Sequence, residues 1–188
     1  SRLMARNVSE PLSDILIPFM KLSNNTIAEG LVKEIGRTAG GEGSWTKGLN
    51  IIEDNFIQLG MDQAAIKMRD GSGLSPLGMV SANNLSSLLF EVQGKPWFPM
   101  FERSLPVAGA KGKLGGGTLR NRMNGTAAEG KVAAKTGTIT FNSSLSGYVT
   151  IKNGKRLVFS IIINNGLNEK KIKAIEDRLA VRPAEQTI

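Results

Sequence analysis

The first third of the chain carries apolar residues at intervals of three and four, which is the spacing of amphipathic helices. The Ser-Glu-Pro of residues 9–11 predicts the start of a first helix, and Pro18 should bend or end it. A second helix should stop near Gly36, since glycine commonly follows a helix, and a third should begin after Gly48. The three apolar faces are formed by Leu12, Ile15, Leu16 and Phe19, by Ile27, Leu31 and Ile35, and by Leu49, Ile52, Phe56 and Leu59.

Turn-forming residues are frequent in the middle of the chain. The segment from Asp70 to Pro76 and the segment from Gly109 to Gly117, which holds five glycines, both predict loops. Between these loops Ser81 is a good helix cap, and it precedes apolar residues at helical spacing. The apolar residues of this helix are Leu85, Leu88, Leu89 and Val92.

The last third changes to the pattern of β-strands. Three strands are predicted, over Val132–Thr138, Leu145–Ile151 and Arg156–Ile163. Asn153-Gly154 joins the second and third, and this dipeptide is a strong signal for a hairpin turn. A closing amphipathic helix is expected over residues 168–181, with Ile172, Ile175 and Leu179 on its apolar face. This order of elements predicts one α+β unit in which helices pack on an antiparallel sheet.

The composition of the 188 residues excludes several kinds of chemistry. The chain has no cysteine and no histidine, so it contains no disulfide, no Cys/His zinc site and no His-based catalytic triad. We predict neither a metal nor a cofactor, and proton transfer near neutral pH should fall to Lys, Asp, Glu or Tyr. The net charge of +8 suits a solvated basic surface or an anionic polymer. The basic clusters carry no aromatic residues, so we predict no nucleic-acid partner.

The triplet Lys135-Thr136-Gly137, followed by Thr138, lies on the first predicted strand. A strand edge can pair with an extended peptide, and a glycine there leaves room for it. The lysine and the threonine hydroxyls could bind a carboxylate of that peptide. The alternative is a buried strand whose lysine extends outward to solvent.

Two serine motifs add to this triplet. Ser-x-Asn occurs as Ser23-Asn24-Asn25, between two predicted helices, and as Ser81-Ala82-Asn83, where Ser81 is explained as a helix cap. We therefore favour Ser23 and Asn25 as site residues. Ser-x-x-Lys occurs once, as Ser44-Trp45-Thr46-Lys47, and Ser44 also fits a simple helix cap. Ser-x-x-Lys, a Ser-x-Asn motif and Lys-Thr-Gly together are typical of penicillin-recognising serine enzymes.

Several blocks of sequence over residues 9–166 resemble one family, the class C low-molecular-mass penicillin-binding proteins of the D-Ala-D-Ala carboxypeptidase/endopeptidase group. In that family the order is Ser-x-x-Lys, then inserted domains, then Ser-x-Asn, then Lys-Thr-Gly. The blocks that carry the resemblance are Ser9 to Ser13, Met20 to Asn25, Asp70 to Ser75, Leu105 to Gly109, Gly117 to Met123, Gly130 to Gly137 and Leu145 to Tyr148.

The resemblance implies a domain of the penicillin-binding transpeptidase/β-lactamase-like fold, of which residues 1–188 are the C-terminal portion. Because Ser44 follows the second motif, it does not match the nucleophile. The nucleophile and the inserted domains are therefore expected upstream of residue 1, and the isolated chain is expected to be inactive. The implied location is extracytoplasmic, in a bacterium, either associated with the cell wall or secreted.

The resemblance also implies a role for each site residue. Ser23 is expected to pass a proton between Lys135 and the leaving amine, and Asn25 to bind the substrate amide. Lys135, Thr136 and Thr138 should hold the terminal carboxylate, beside the open strand edge at Gly137. The implied partners are peptidoglycan stem peptides ending in D-Ala-D-Ala, β-lactams, and the N-terminal part of the same enzyme. A serine β-lactamase and a non-catalytic peptidoglycan-binding module are the alternatives.

Overall fold

The computed structural model describes residues 4–187. Within this range the chain forms six α-helices, five β-strands and several short 3-10 turns. The helices are α1 (Leu12–Leu22), α2 (Asn25–Gly40), α3 (Trp45–Gln58), α4 (Ala82–Glu91), α5 (Phe98–Ser104) and α6 (Glu169–Glu185). The strands are β1 (Ile66–Lys67), β2 (Met79–Val80), β3 (Val132–Ile139), β4 (Asn142–Thr150) and β5 (Arg156–Ile163).

Strands β3, β4 and β5 form an antiparallel sheet in that order, which confirms the predicted α+β class. The start of the outer edge of β3 is covered, because Ala134 donates its backbone N–H to the Pro106 carbonyl at 2.9 Å. From Lys135 to Ile139 that edge makes no backbone hydrogen bond to another described segment. Part of β3 is therefore open to an extended ligand, and this open part contains the lysine motif.

Helices cover both faces of the sheet because side chains alternate along each strand. Leu145 and Val149 point to the face on which α6 packs. Tyr148 points to the opposite face, where α4 and α5 pack, and its hydroxyl donates to the Leu89 carbonyl at 2.7 Å. Together these layers hold β3 rigidly between two apolar clusters.

Helices α2 and α3 pack against each other through glycines, so the predicted ends of these helices are wrong. Helix α2 runs past Gly36, and a Cβ at this position would lie 2.7 Å from the Glu42 carbonyl oxygen. Helix α3 begins at Trp45, ahead of Gly48, which lies directly against the Val32 backbone. The two glycines allow close packing of the helices and do not end them.

One prediction about a proline in α1 and one about the buried face of α6 also need correction. Helix α1 begins at Leu12 and continues through Pro18, so this proline does not end the helix, because it costs one backbone hydrogen bond that packing can offset. A bend at Pro18, the other predicted outcome, stays a prediction. In α6 the buried stripe is formed by Ile172, Glu176, Ala180 and Ala184. Ile175 and Leu179, which were predicted to face the core, are 38% and 45% exposed.

The basic cluster formed by Arg120 and Arg122 is partly internal. Arg122 is mostly buried and forms ion pairs with Glu176, at 2.9 Å, and with Asp177, at 2.7 Å, on α6. This residue therefore contributes to packing and adds little to the basic surface.

Within residues 4–187 every helix is too short or too polar to cross a bilayer.

Candidate active site

A cleft of about 590 Å³ opens between the α1–α2 junction, the 66–75 segment and the outer edge of β3. The residues predicted from the two motifs all line this cleft, although the motifs are about a hundred positions apart in the sequence. They are Ser23, Asn25, Lys135, Thr136, Gly137 and Thr138.

The α1–α2 junction presents Ser23 to the cleft through an unusual backbone conformation. Ser23 ends α1 with φ 54° and ψ 54°, in the left-handed region that glycine normally occupies. The next residue, Asn24, begins α2 by accepting the Ile27 N–H on its side chain at 3.0 Å. The chain thus reverses within two residues, and both Ser23 and Asn25 lie at the cleft.

Lys135 connects the two motifs. Its Nζ donates to the Ser23 Oγ at 2.7 Å and to the Thr136 carbonyl at 2.7 Å. Burial lowers the pKa of Lys135 to about 8. Its ammonium therefore lies beside a serine hydroxyl and can exchange its proton near physiological pH.

Gly137 lies on the open part of β3, at a position where a side chain would meet the neighbouring strand. It pairs across the sheet with Ser144, and a Cβ at Gly137 would lie 2.5 Å from the Ser144 Oγ. A larger residue would displace Ser144 or twist the strand. Thr138 follows at an exposed position, where its hydroxyl and N–H are available to a ligand.

Thr118 is a cleft neighbour that the sequence analysis did not identify. The Thr136 hydroxyl donates to the Thr118 Oγ at 2.9 Å. Thr118 is placed there because Gly117, with φ +57°, packs against the Lys21 carbonyl so closely that a Cβ would clash. The only signal in the sequence was its position in the Gly117–Met123 block of the family resemblance.

Glu29 is a second residue that the sequence analysis missed, and it holds the wall of the cleft. Its carboxylate accepts the backbone N–H of Ser72 at 2.9 Å and of Gly71 at 3.1 Å, and the Trp45 indole N–H at 2.7 Å. Burial acts to raise the pKa of Glu29, but the hydrogen bonds from Ser72, Gly71 and Trp45 outweigh it and lower the pKa. Its position one helical turn after Asn25 could have indicated this role.

The two other serine motifs are helix caps. The Ser44 Oγ accepts the Lys47 N–H at 3.3 Å at the start of α3, and Ser44 does not line the cleft. The Ser81 Oγ accepts the Asn84 N–H at 3.1 Å at the start of α4, as predicted. Ser81 lines an adjoining pocket with Gly137 and Thr138, but it is Ser23 that forms a hydrogen bond with the lysine of the lysine motif.

Comparison of the sequence with known families and proteins identifies its relatives. Residues 1–186 match the sequence profile of the D-Ala-D-Ala carboxypeptidase 3 (S13) family. The chain is 48% identical over 185 residues to a D-alanyl-D-alanine carboxypeptidase of Actinomadura sp. (strain R39), covering 98% of the chain and 34% of that protein. It is 32% identical to the carboxypeptidase DacB of Mycolicibacterium smegmatis, covering 84% of the chain and 34% of that protein.

Solved structures show the same fold. The crystal structure of penicillin-binding protein 4 from Haemophilus influenzae in complex with a β-lactam superposes with a TM-score of 0.80 at 24% identity, over 95% of this chain and 42% of that one. The extended-spectrum β-lactamase TLA-3 superposes with a TM-score of 0.65 at 14% identity, over 95% of this chain and 63% of that one. This likeness agrees with the fold predicted from the sequence.

The chain spans about a third of the length of these two curated relatives, 34% in each case. The match nevertheless covers almost the whole chain, and it includes both motifs that meet in the cleft. The chain therefore belongs to the D-Ala-D-Ala carboxypeptidase 3 (S13) family.

Proposed function

We propose that this chain is the C-terminal portion of the catalytic domain of a serine-type D-Ala-D-Ala carboxypeptidase, with endopeptidase activity as the alternative preference. The enzyme acts outside the cytoplasm on peptidoglycan stem peptides, through an acyl-enzyme, and is acylated by β-lactams. The proposal rests on one observation. The Lys135 Nζ and the Ser23 Oγ form a hydrogen bond of 2.7 Å, although the two residues are 112 positions apart.

The proposed mechanism gives each cleft residue a task. The substrate lies extended along the open edge of β3 beside Gly137, and its terminal carboxylate contacts Lys135, Thr136 and Thr138. The Asn25 amide binds the substrate's amide carbonyl. A serine attacks the carbonyl carbon of the penultimate D-Ala and gives its hydroxyl proton to the lysine of its own Ser-x-x-Lys motif, while the N–H of Thr138 stabilises the oxyanion. The C–N bond to the terminal D-Ala then breaks, Ser23 passes a proton from the Lys135 ammonium to the leaving amine, and water hydrolyses the acyl-enzyme.

We propose that the nucleophile is supplied by protein outside residues 1–188. Two observations support this. The Ser-x-x-Lys of residues 44–47 lies outside the cleft. In the described part of the chain β5 pairs only with β4, so its other edge has free hydrogen-bonding groups for a further strand.

Mass spectrometry of the full-length protein after treatment with penicillin tests this function. We expect one adduct per molecule, on a serine outside residues 1–188, together with release of D-Ala from a peptide ending in D-Ala-D-Ala. An adduct on Ser44 would overturn the proposal that the nucleophile lies outside residues 1–188. Absence of any adduct would instead favour a peptidoglycan-binding module, and rapid loss of the adduct would favour a β-lactamase.

The pKa of Lys135 predicts how acylation depends on pH. Since that pKa is lowered to about 8 in the free protein, the ammonium loses its charge as the pH rises through 8. The second-order rate constant of acylation should fall above that pH, by about tenfold per pH unit, because it reports free-enzyme groups. Arginine keeps its charge over this range, so Lys135→Arg should lack this decline whatever its activity at pH 7. A decline that persists in Lys135→Arg would assign the titration to another group.

A further inference from the structure

Lys21 is a buried lysine that lies outside the proposed chemistry. It is on α1, two residues before Ser23, and is 5% exposed. Its Nζ donates to the backbone carbonyl of Leu105, which is fully buried. Burial, and then the nearby charge of Arg103, lower the pKa of Lys21. Burying an ammonium that is not fully paired costs free energy, because the charge loses its hydration. An apolar side chain of similar length at this position would not carry that cost.

The carbonyl that Lys21 binds belongs to a segment attached to the lysine strand. Leu105 is followed by Pro106, whose carbonyl accepts the Ala134 N–H at 2.9 Å, one residue before Lys135. The Lys21 side chain therefore connects the end of α1 to the backbone that leads into Lys135. Four consecutive covalent or hydrogen-bonded steps join Lys21 to Lys135 by this route.

The backbone of Lys21 makes a second connection to the same strand. Its carbonyl packs against Gly117, and the next residue, Thr118, accepts the Thr136 hydroxyl at 2.9 Å. Lys21 thus contacts both segments that flank β3 at the cleft. Among residues 4–187 Lys21 is the least exposed lysine.

We infer that Lys21 is a positioning residue that fixes the distance between Ser23 and Lys135. This inference rests on the proposed function, because that distance matters only if Ser23 relays a proton. Helix packing alone does not require a charge here, since a methionine would fill similar space without desolvation cost. The ammonium instead supplies a directed bond to one carbonyl, which apolar packing cannot provide.

The test uses Lys21→Met in the full-length protein. We expect the acylation rate by penicillin to fall about 10-fold, with the dissociation constant of the initial complex nearly unchanged, because displacement of a reacting group affects the chemical step. Thermal stability should change little, because the relieved cost of burying the charge is offset by the Leu105 carbonyl that loses its donor. Lys21→Gln keeps an N–H donor on a shorter side chain and should lose less activity than Lys21→Met. Lys173→Met removes a partly buried lysine paired with Glu169 on α6 and should leave acylation unchanged.

A double-mutant cycle with Ser23→Ala separates positioning from general destabilisation. If Lys21 acts through Ser23, adding Lys21→Met to Ser23→Ala should cause little further loss. An additive loss, or equal activity of Lys21→Gln and Lys21→Met, would overturn the inference.

A crystal structure of Lys21→Met gives a readout independent of activity. We expect the Ser23 Oγ to move out of hydrogen-bonding distance of the Lys135 Nζ, and an unchanged 2.7 Å separation would overturn the inference. If wild-type protein is not acylated by penicillin at all, the proposed function fails. The crystallographic distance still decides whether Lys21 sets the geometry.

Discussion

Replacing Lys135 by alanine in the full-length protein is expected to lower the rate of acylation by penicillin by about 10³-fold. The Lys135 Nζ lies 2.7 Å from the Ser23 Oγ, so the substitution removes both the proposed proton-transfer partner and the positive charge proposed to face the substrate carboxylate. Proton transfer by a positioned group typically contributes 10²–10⁴-fold, and loss of a charged binding contact adds to this.

Stopped-flow acylation with a chromogenic β-lactam measures the effect of Lys135→Ala. The matched control is Lys155→Ala, which removes an exposed lysine from the β4–β5 turn of the same sheet. Its acylation rate should match wild type. A near-normal rate for Lys135→Ala would show that Lys135 takes no part in the mechanism. It would favour the alternative in which Lys135 only extends outward to solvent from a buried strand.

Replacing Ser23 by glycine or by alanine is expected to separate activity from stability. Both substitutions remove the hydroxyl, so acylation should fall by about 10²-fold or more in each. Ser23 has φ 54°, a conformation that costs residues with a Cβ about 1–2 kcal/mol and costs glycine almost nothing. The glycine variant should therefore resist urea better than the alanine variant, by about 1 kcal/mol of unfolding free energy.

Asn165 provides the matched control for the effect of Ser23 on stability. It has φ 59° and is exposed outside the cleft. Asn165→Gly should likewise be more stable than Asn165→Ala, while both retain wild-type acylation. Equal stabilities of the two Ser23 variants would show that Ser23 is not strained. Normal acylation in both would show that its hydroxyl takes no part.

Strain at Ser23 and the buried charge at Lys21 have the same consequence. Each carries a free-energy cost, from a left-handed backbone at Ser23 and from a desolvated charge at Lys21, and each lies within two residues of the proposed proton relay. Such costs are typical of sites where a functional geometry overrides local preference. The α1–α2 junction is therefore where substitutions should most often increase stability and decrease activity.

Local signals in the sequence were sufficient for much of the fold. Ser81 caps its helix as predicted, and Asn153-Gly154 lies in the turn between β4 and β5. The predicted strands agree with β3, β4 and β5 to within a few residues. These signals succeed because capping and hairpin turns depend on hydrogen bonds within about four residues. Their physical cause is contained in the segment itself.

The predictions that failed depended on contacts between distant segments. Gly36 was read as a helix end, but it lies inside α2 because α3 packs against it. Ile175 was assigned to the buried face of α6, whereas Ala180 and Ala184 lie closest to the sheet. Helical periodicity indicates that one face is buried, but the shape of the neighbouring element decides which residues fit there.

The sequence by itself determined the family of this chain and which residues are candidates for its site, Ser23, Asn25 and the Lys135–Thr138 segment. Only the tertiary structure decided that the Lys135 ammonium lies 2.7 Å from the Ser23 hydroxyl, and that Lys21, Glu29 and Thr118 hold the surrounding segments. The physical reason is the distance along the chain over which each property is set. Residue type sets what a side chain can donate or accept, while the distance between residues 112 positions apart depends on the packing of every element between them.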